Sequence, residues 1–146
     1  MNTYKGKFVP KQHKKYKGDF SKITYRSSWE QKFMLHLDNN PNVTKWNSEE
    51  VVVNYIWSQD GKKHRYFMDF WVRYENGREF WFEVKPYIQT QEPKLQGKTK
   101  KRQLDESLTY SKNIDKWATA FEASKKAGVK FIILTEHGLK RMGIKL

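Results

Sequence analysis

The chain has 146 residues, of which 29 are Lys or Arg and 16 are Asp or Glu, a net charge of +13. That length suits one core, and so large a positive excess goes beyond what solubility needs and points to a polyanionic partner such as nucleic acid. The absence of cysteine excludes disulfides and thiolate metal sites; no apolar run nears the roughly 20 residues of a membrane span, and the basic N-terminus lacks the apolar core of a signal peptide.

Residues 1–26 carry eight Lys or Arg and one Asp, so +7 of the +13 lies there. The segment shows no periodicity. It is expected to be a basic arm, partly ordered by Tyr4, Phe8, Tyr16 and Phe20, and separate from a domain spanning 27–146. Residues 27–38 follow as a helix, with Ser27 or Ser28 as N-cap and Trp29, Phe33 and Leu37 recurring at i, i+4 and i+8. Strands are expected at 50–57, 65–74 and 79–85, with turns at Gln59-Asp60-Gly61 and Asn76-Gly77. Within the second, Tyr66, Met68, Phe70 and Val72 share one face, and Phe67, Asp69, Trp71 and Arg73 the other. Within the third, Phe80, Phe82 and Val84 oppose Trp81, Glu83 and Lys85. Apolar residues on both faces predict a central sheet covered on both sides. A polar stretch, 87–103, leads to a helix over 105–127 with Leu108, Ile114, Trp117, Ala118 and Phe121 as core positions, closed by Gly128. A buried strand at 129–135 and a short last helix complete an αβββαβ order of the α/β class. The helix between the third and fourth strands favours a parallel crossover.

Four polar residues interrupt this apolar pattern. Glu83 and Lys85 lie two apart on a strand and leave the same face, just before Pro86 ends it. Asp69 sits in an apolar strand, where an unpartnered charge is costly; the alternative to a functional role is a salt bridge to Lys85 or Arg73. Glu30 lies on the inner side of the first helix, beside Phe33, Met34 and Leu37. Its alternative is a capping box with Ser27. Three carboxylates and an amine at a sheet edge suit a hard divalent cation and a water beside a phosphate, the equipment for cutting DNA. His13, His36, His64 and His137 show no ligand spacing and read as surface residues. Lys112 and Lys116, at i and i+4, read as a solvated helix face. No phosphate-cradling glycine loop is present, so no nucleotide cofactor is expected.

Together these segments resemble the PD-(D/E)xK nuclease superfamily. MDF at 68–70 matches its first element, with Met68 where proline is usual, and EVK at 83–85 matches its second. The helical Glu30, the KPY continuation and the ending GVKFIILTE at 128–136 resemble TnsA-type transposase endonucleases; the helical Glu30 is also similar to that of archaeal Holliday-junction resolvases. Across nearly the whole chain, YKGKF, YKGD, YRSSWE, SEEVVVNY, KHRYFMDF, EVKP, QTQEP and NIDKW resemble the head-completion proteins of tailed phages.

The resemblance implies a restriction-endonuclease-like core with a mixed central sheet flanked by helices. It implies Mg²⁺-dependent phosphodiester hydrolysis, with Mn²⁺ as a substitute, and products with 5′-phosphate and 3′-hydroxyl ends. Asp69, Glu83 and the Val84 carbonyl would bind the metal, Glu30 would complete the site, and Lys85 would orient the water. Lys5, Lys7, Lys14, Lys15, Lys17, Arg26, Lys98, Lys100, Lys101 and Arg102 would hold the DNA backbone without reading sequence. The expected partners are DNA and phage head, portal or neck proteins, and the expected location is the virion or host cytoplasm. A docking protein on a nuclease fold, and a nuclease specific for junctions or transposon ends, stand as alternatives.

Overall fold

The computed structural model describes residues 3–146, with side chains from Lys5 onward. The chain begins with β1 (Thr3–Lys7), two short 3-10 turns and β2 (Thr24–Ser27), then α1 (Ser28–Asn39). The strands β3 (Val43–Ser48), β4 (Val52–Ile56), β5 (Lys63–Phe67), β6 (Phe70–Tyr74) and β7 (Glu79–Val84) follow. A long helix, α2 (Lys100–Ala127), then β8 (Lys130–Leu134) and α3 (Glu136–Arg141) end it. Among the described residues no helix is long and apolar enough to cross a membrane.

The central sheet has the order β3-β6-β7-β8. Its first two pairings are antiparallel and the third is parallel, the expected crossover through α2. The fold is thus mixed α/β, and the αβββαβ order of the core holds. Its first strand, however, is β3 and not the segment at 50–57. That segment forms β4, which pairs only with β5 in a separate two-stranded ribbon. The sequence VTKWNS of β3 mixes Thr44, Lys45 and Asn47 with Val43 and Trp46, which hides its strand character. It is an edge strand, where such polar residues are tolerated.

The expected strand at 65–74 is broken. β3 and β4 run antiparallel to β6 and β5 as one long hairpin, in which Ser48 faces Phe70 and Val52 faces Phe67. Between those pairs lie residues 49–51 on one side and 68–69 on the other. The extra residue makes a β-bulge, and Glu49 takes the left-handed conformation (φ 57°) that such bulges use. The bulge turns the ribbon out of the sheet and resets the alternation. Tyr66 and Met68 therefore pack on one side of the sheet, and Phe70 and Val72 on the other.

Two cores result. One holds Phe33, Met34 and Leu37 of α1 against Phe70, Val72, Phe82 and Val84, with the Phe33 ring edge-on to Phe70 and Phe82 at 4.9 and 5.5 Å. The segment expected as a basic arm joins this core through Phe8, Tyr16, Ile23 and Tyr25. Asp38 accepts the Lys11 and Gln12 N–H groups, and a Cβ at Gly6 would collide with the Tyr25 ring. Phe20 instead stays exposed and stacks on His13, and the Tyr4 side chain lies outside the described residues. His36, expected at the surface, is half-buried.

The second core packs Val53, Tyr55, Tyr66 and Met68 with Trp71, Trp81 and α2. α2 starts earlier than expected, capped by the Thr99 side chain, which accepts the Arg102 N–H; Gly128 closes it in the left-handed conformation (φ 74°). Its buried stripe is Asn113, Trp117, Ala120 and Ser124. Of the predicted core positions only Trp117 is buried; Ile114 and Phe121 are exposed, as is Ala118, and Leu108 is intermediate. The stripe carries two polar residues, so hydrophobicity alone chose the wrong face.

Candidate active site

The C-terminal end of β7 opens onto a cavity of about 330 Å³. Glu30, Asp69, Glu83 and Lys85 all line it, as do Arg26, Glu49, Arg65, Tyr66, Phe67, Val84 and Lys116. Each carboxylate comes from a different element. Glu83 lies on β7, facing the α2 side. Asp69 sits in the bulge, and its carboxylate reaches the end of β7. Glu30 occupies the first turn of α1.

Glu83 is buried (6% exposed). One of its oxygens accepts the Tyr66 hydroxyl at 2.7 Å, and the other lies 3.7 Å from the Lys85 ammonium. Burial, then the Glu83 charge, pushes the Tyr66 pKa far above its usual value, so that hydroxyl keeps its proton and stays a donor. Asp69 accepts the Val84 N–H at 2.9 Å, which fixes one of its oxygens; among the described residues the other has no hydrogen-bond donor. Burial and the carboxylates of Glu83 and Glu30 hold it well above the usual carboxylate range. No structural salt bridge to Lys85 or Arg73 forms within 4.0 Å.

Glu30 is half-buried, and burial raises its pKa, against the pull of the Arg26 N–H that it accepts at 3.4 Å. Glu49 and Glu83 push it further the same way. Ser27 does cap α1, its hydroxyl accepting the Glu30 N–H at 3.2 Å. The Glu30 carboxylate reaches back to the Arg26 amide and not to that of Ser27, so it is not closed in a capping box.

Lys116 is the residue that sequence reasoning set aside. Half-buried on α2, it lines the cavity 5.3 Å from the Tyr66 ring centroid. Burial lowers its pKa, while Glu83 opposes that shift. Its neighbour Lys112 covers the Trp57 ring at 4.5 Å. The signal was present in the i, i+4 spacing, but a lysine on a polar helix gives no hint of which face meets the sheet. Arg26 pairs with Glu49 at 3.0 Å across the rim.

The remaining expected DNA contacts fall into two groups. Lys5, Lys7, Lys14, Lys17, Lys100, Lys101 and Arg102 are exposed. Lys15 is committed elsewhere: its ammonium bonds the carbonyls of Leu37, Asp38 and Asn40 at the end of α1, which suits a cation there. Lys98 is partly engaged by Glu106, at 2.8 Å.

Glu83 and Glu30 raise the Asp69 pKa, and Glu49 and Glu83 raise that of Glu30; a hard cation relieves such repulsion, and all-oxygen ligands suit Mg²⁺. The residue types therefore fit such an ion. Among the described residues no three acidic or histidine side chains are gathered into a ready-made metal cluster; Tyr66, Lys85 and the Val84 N–H engage Glu83 and Asp69.

Residues 40–136 match the family described as TnsA-like endonuclease N terminal, and the chain belongs to that family. It is also 48% identical to the head completion nuclease of Enterobacteria phage T4, over 98% of each chain. By this homology it is a nuclease. The family match contains Asp69, Glu83, Lys85 and Lys116, while Glu30 lies before it.

Proposed function

We infer that the chain is a Mg²⁺-dependent DNA endonuclease of phage head completion, one that trims or processes DNA ends of packaged heads before tail attachment. Its core is restriction-endonuclease-like, and Mn²⁺ substitutes for Mg²⁺. The observation that carries this reading is the gathering of Glu30, Asp69, Glu83 and Lys85 around one cavity, in a chain so similar to a head completion nuclease.

Asp69, Glu83 and the Val84 carbonyl would hold the ion, and Glu30 would complete the site. When bound, such an ion would supply positive charge beside the phosphate and lower the pKa of a water. Tyr66 fixes the Glu83 carboxylate by its hydrogen bond, so that one oxygen stays turned to the cavity. Lys85 orients the attacking water and stabilises negative charge that develops on the phosphorus oxygens. Lys116 offers a second ammonium from the α2 side. The exposed lysines of the N-terminal segment, with Lys100, Lys101 and Arg102, hold the DNA backbone, giving weak sequence preference and strong salt dependence. Head, portal or neck proteins are its partners, in the virion or host cytoplasm.

Cleavage by wild type and Glu83→Ala tests this, with Mg²⁺, Mn²⁺ or EDTA, on linear, overhang-bearing and branched DNA. Metal-dependent cutting lost in the variant is the expected result. DNA binding without cleavage on every substrate would overturn it in favour of a docking role.

A further inference from the structure

The ribbon of β4 and β5 turns Val53, Tyr55 and Tyr66 inward and leaves its other face in solvent. On that outer face the register sets Val52 opposite Phe67, Asn54 opposite Arg65 and Ile56 opposite Lys63. Val52, Ile56 and Phe67 are 42%, 56% and 42% exposed. Large apolar side chains on an exposed ribbon invite aggregation and add little to the fold. Phe67 is also placed with respect to the chemistry. It lines the cavity, two residues before Asp69. The Arg65 guanidinium lies over its ring at 5.2 Å from the centroid. Neither Arg65 nor Lys63 enters an ion pair among the described residues.

Intact duplex has little to offer such a surface. Its outside is phosphate and sugar, and its base faces are hidden in the stack. An unpaired base has a flat apolar face, which stacks on aromatic rings and guanidinium planes. Free cations beside the ring suit the phosphates on either side of that base. A protein contact would explain an apolar patch, but not two uncompensated cations interleaved with it, one of which, Arg65, lines the cavity.

We propose that Phe67 and Arg65 form a stacking platform for an unpaired nucleotide beside the scissile phosphate, so that the substrate is DNA with a single-stranded or splayed segment at the cut. Val52 extends the apolar floor, and Lys63 takes a neighbouring phosphate. The proposal rests on the nuclease reading above and narrows its substrate.

The test is binding in EDTA, which separates recognition from cutting. The probes are a blunt duplex and the same duplex with an unpaired overhang whose first base is 2-aminopurine. Wild type binds the overhang more tightly than the blunt end and quenches the probe by stacking. Phe67→Ala loses about tenfold in overhang affinity, loses the quenching, and stays within about twofold on the blunt duplex. Phe67→Trp restores both. Thermal unfolding of each variant checks that the exposed position leaves the fold intact. Unchanged overhang binding and quenching in Phe67→Ala would overturn the proposal, as would an equal loss on both probes; the ribbon face would then belong to a protein contact or to general electrostatics. Absence of cleavage by wild type in Mg²⁺ would sink the nuclease reading and leave these binding results standing. Retained cleavage with the same preference in wild type and Phe67→Ala would sink the platform alone.

Discussion

Against α1, the central sheet sets Phe70, Val72, Phe82 and Val84, closed over by the N-terminal segment. Against α2 it sets Trp71, Trp81 and Glu83, beside Tyr66 and Lys116. The first face is apolar and interlocked. The second admits a buried carboxylate, a phenol and an ammonium, groups that need partners when they leave water. The contrast teaches a division within one sheet: β7 turns Phe82 into the apolar core and its neighbour Glu83 into the cavity.

The sharpest way to break the contrast is a pair of truncations. Glu83→Ala should lower the cleavage rate on the order of a thousandfold. It should leave the melting temperature near that of wild type, because Asp69 and Glu30 lose a repelling neighbour while the Tyr66 hydroxyl and Lys85 ammonium lose a partner. Phe33→Ala, at a fully buried position, should cost about 3–5 kcal/mol in urea unfolding. Its cleavage rate, measured well below its midpoint, should stay near wild type. If both variants lost activity and stability together, the two faces would not be separable.

Tyr66→Phe keeps the ring and removes the hydroxyl bonded to Glu83. Cleavage should fall about tenfold or more, as for groups that orient a metal ligand, while thermal stability moves little. A smaller effect, about tenfold at most, is expected for Lys116→Ala, with partial recovery in Lys116→Arg. Were Lys116 only a solvated helix residue, neither change would alter the rate.

The smallest effect belongs to the α1 face. Burial, then the Lys15 charge, lowers the His36 pKa in the folded state. The unfolded chain therefore binds more protons below about pH 6.5, and stability present above that pH is lost as pH falls. The urea midpoint should drop on acidification, and His36→Gln should flatten that slope without changing cleavage at neutral pH.

Local patterns were legible in the sequence, and packing choices were not. Ser27 and Gly128 mark helix ends because caps are set by single residues. The E-x-K pair at the end of β7 and the lone Asp69 stand out because charges in apolar runs are rare. The bulge left no trace, since residues 65–74 carry no turn or breaker signal and the extra residue lies on the partner strand. The N-terminal segment resembles a free arm in sequence because its anchors, Phe8, Tyr16, Ile23 and Tyr25, are single side chains without a period. The face of α2 was misread because Ile114 and Phe121 point to solvent while Asn113 and Ser124 are covered. Lys116 was missed for the same reason, since its place depends on how the helix is rotated on the sheet.

The ribbon of β4 and β5 is held at both ends. At its root, Met68 donates to the Val51 carbonyl at 2.8 Å, and Glu49 to that of Met68 at 3.1 Å. At its tip, the Asp115 carboxylate of α2 accepts the Ser58 N–H at 2.8 Å, and Ser111 accepts the Trp57 indole N–H at 3.4 Å. Mechanically it is a beam supported at two points and not a flap hinged at one. A strand arriving at its outer face meets a surface already in place, so little ordering entropy is spent on the protein side. With the proposed stacking platform, the cost of fitting falls on the nucleic acid, and ends that are already frayed would fit at the least cost.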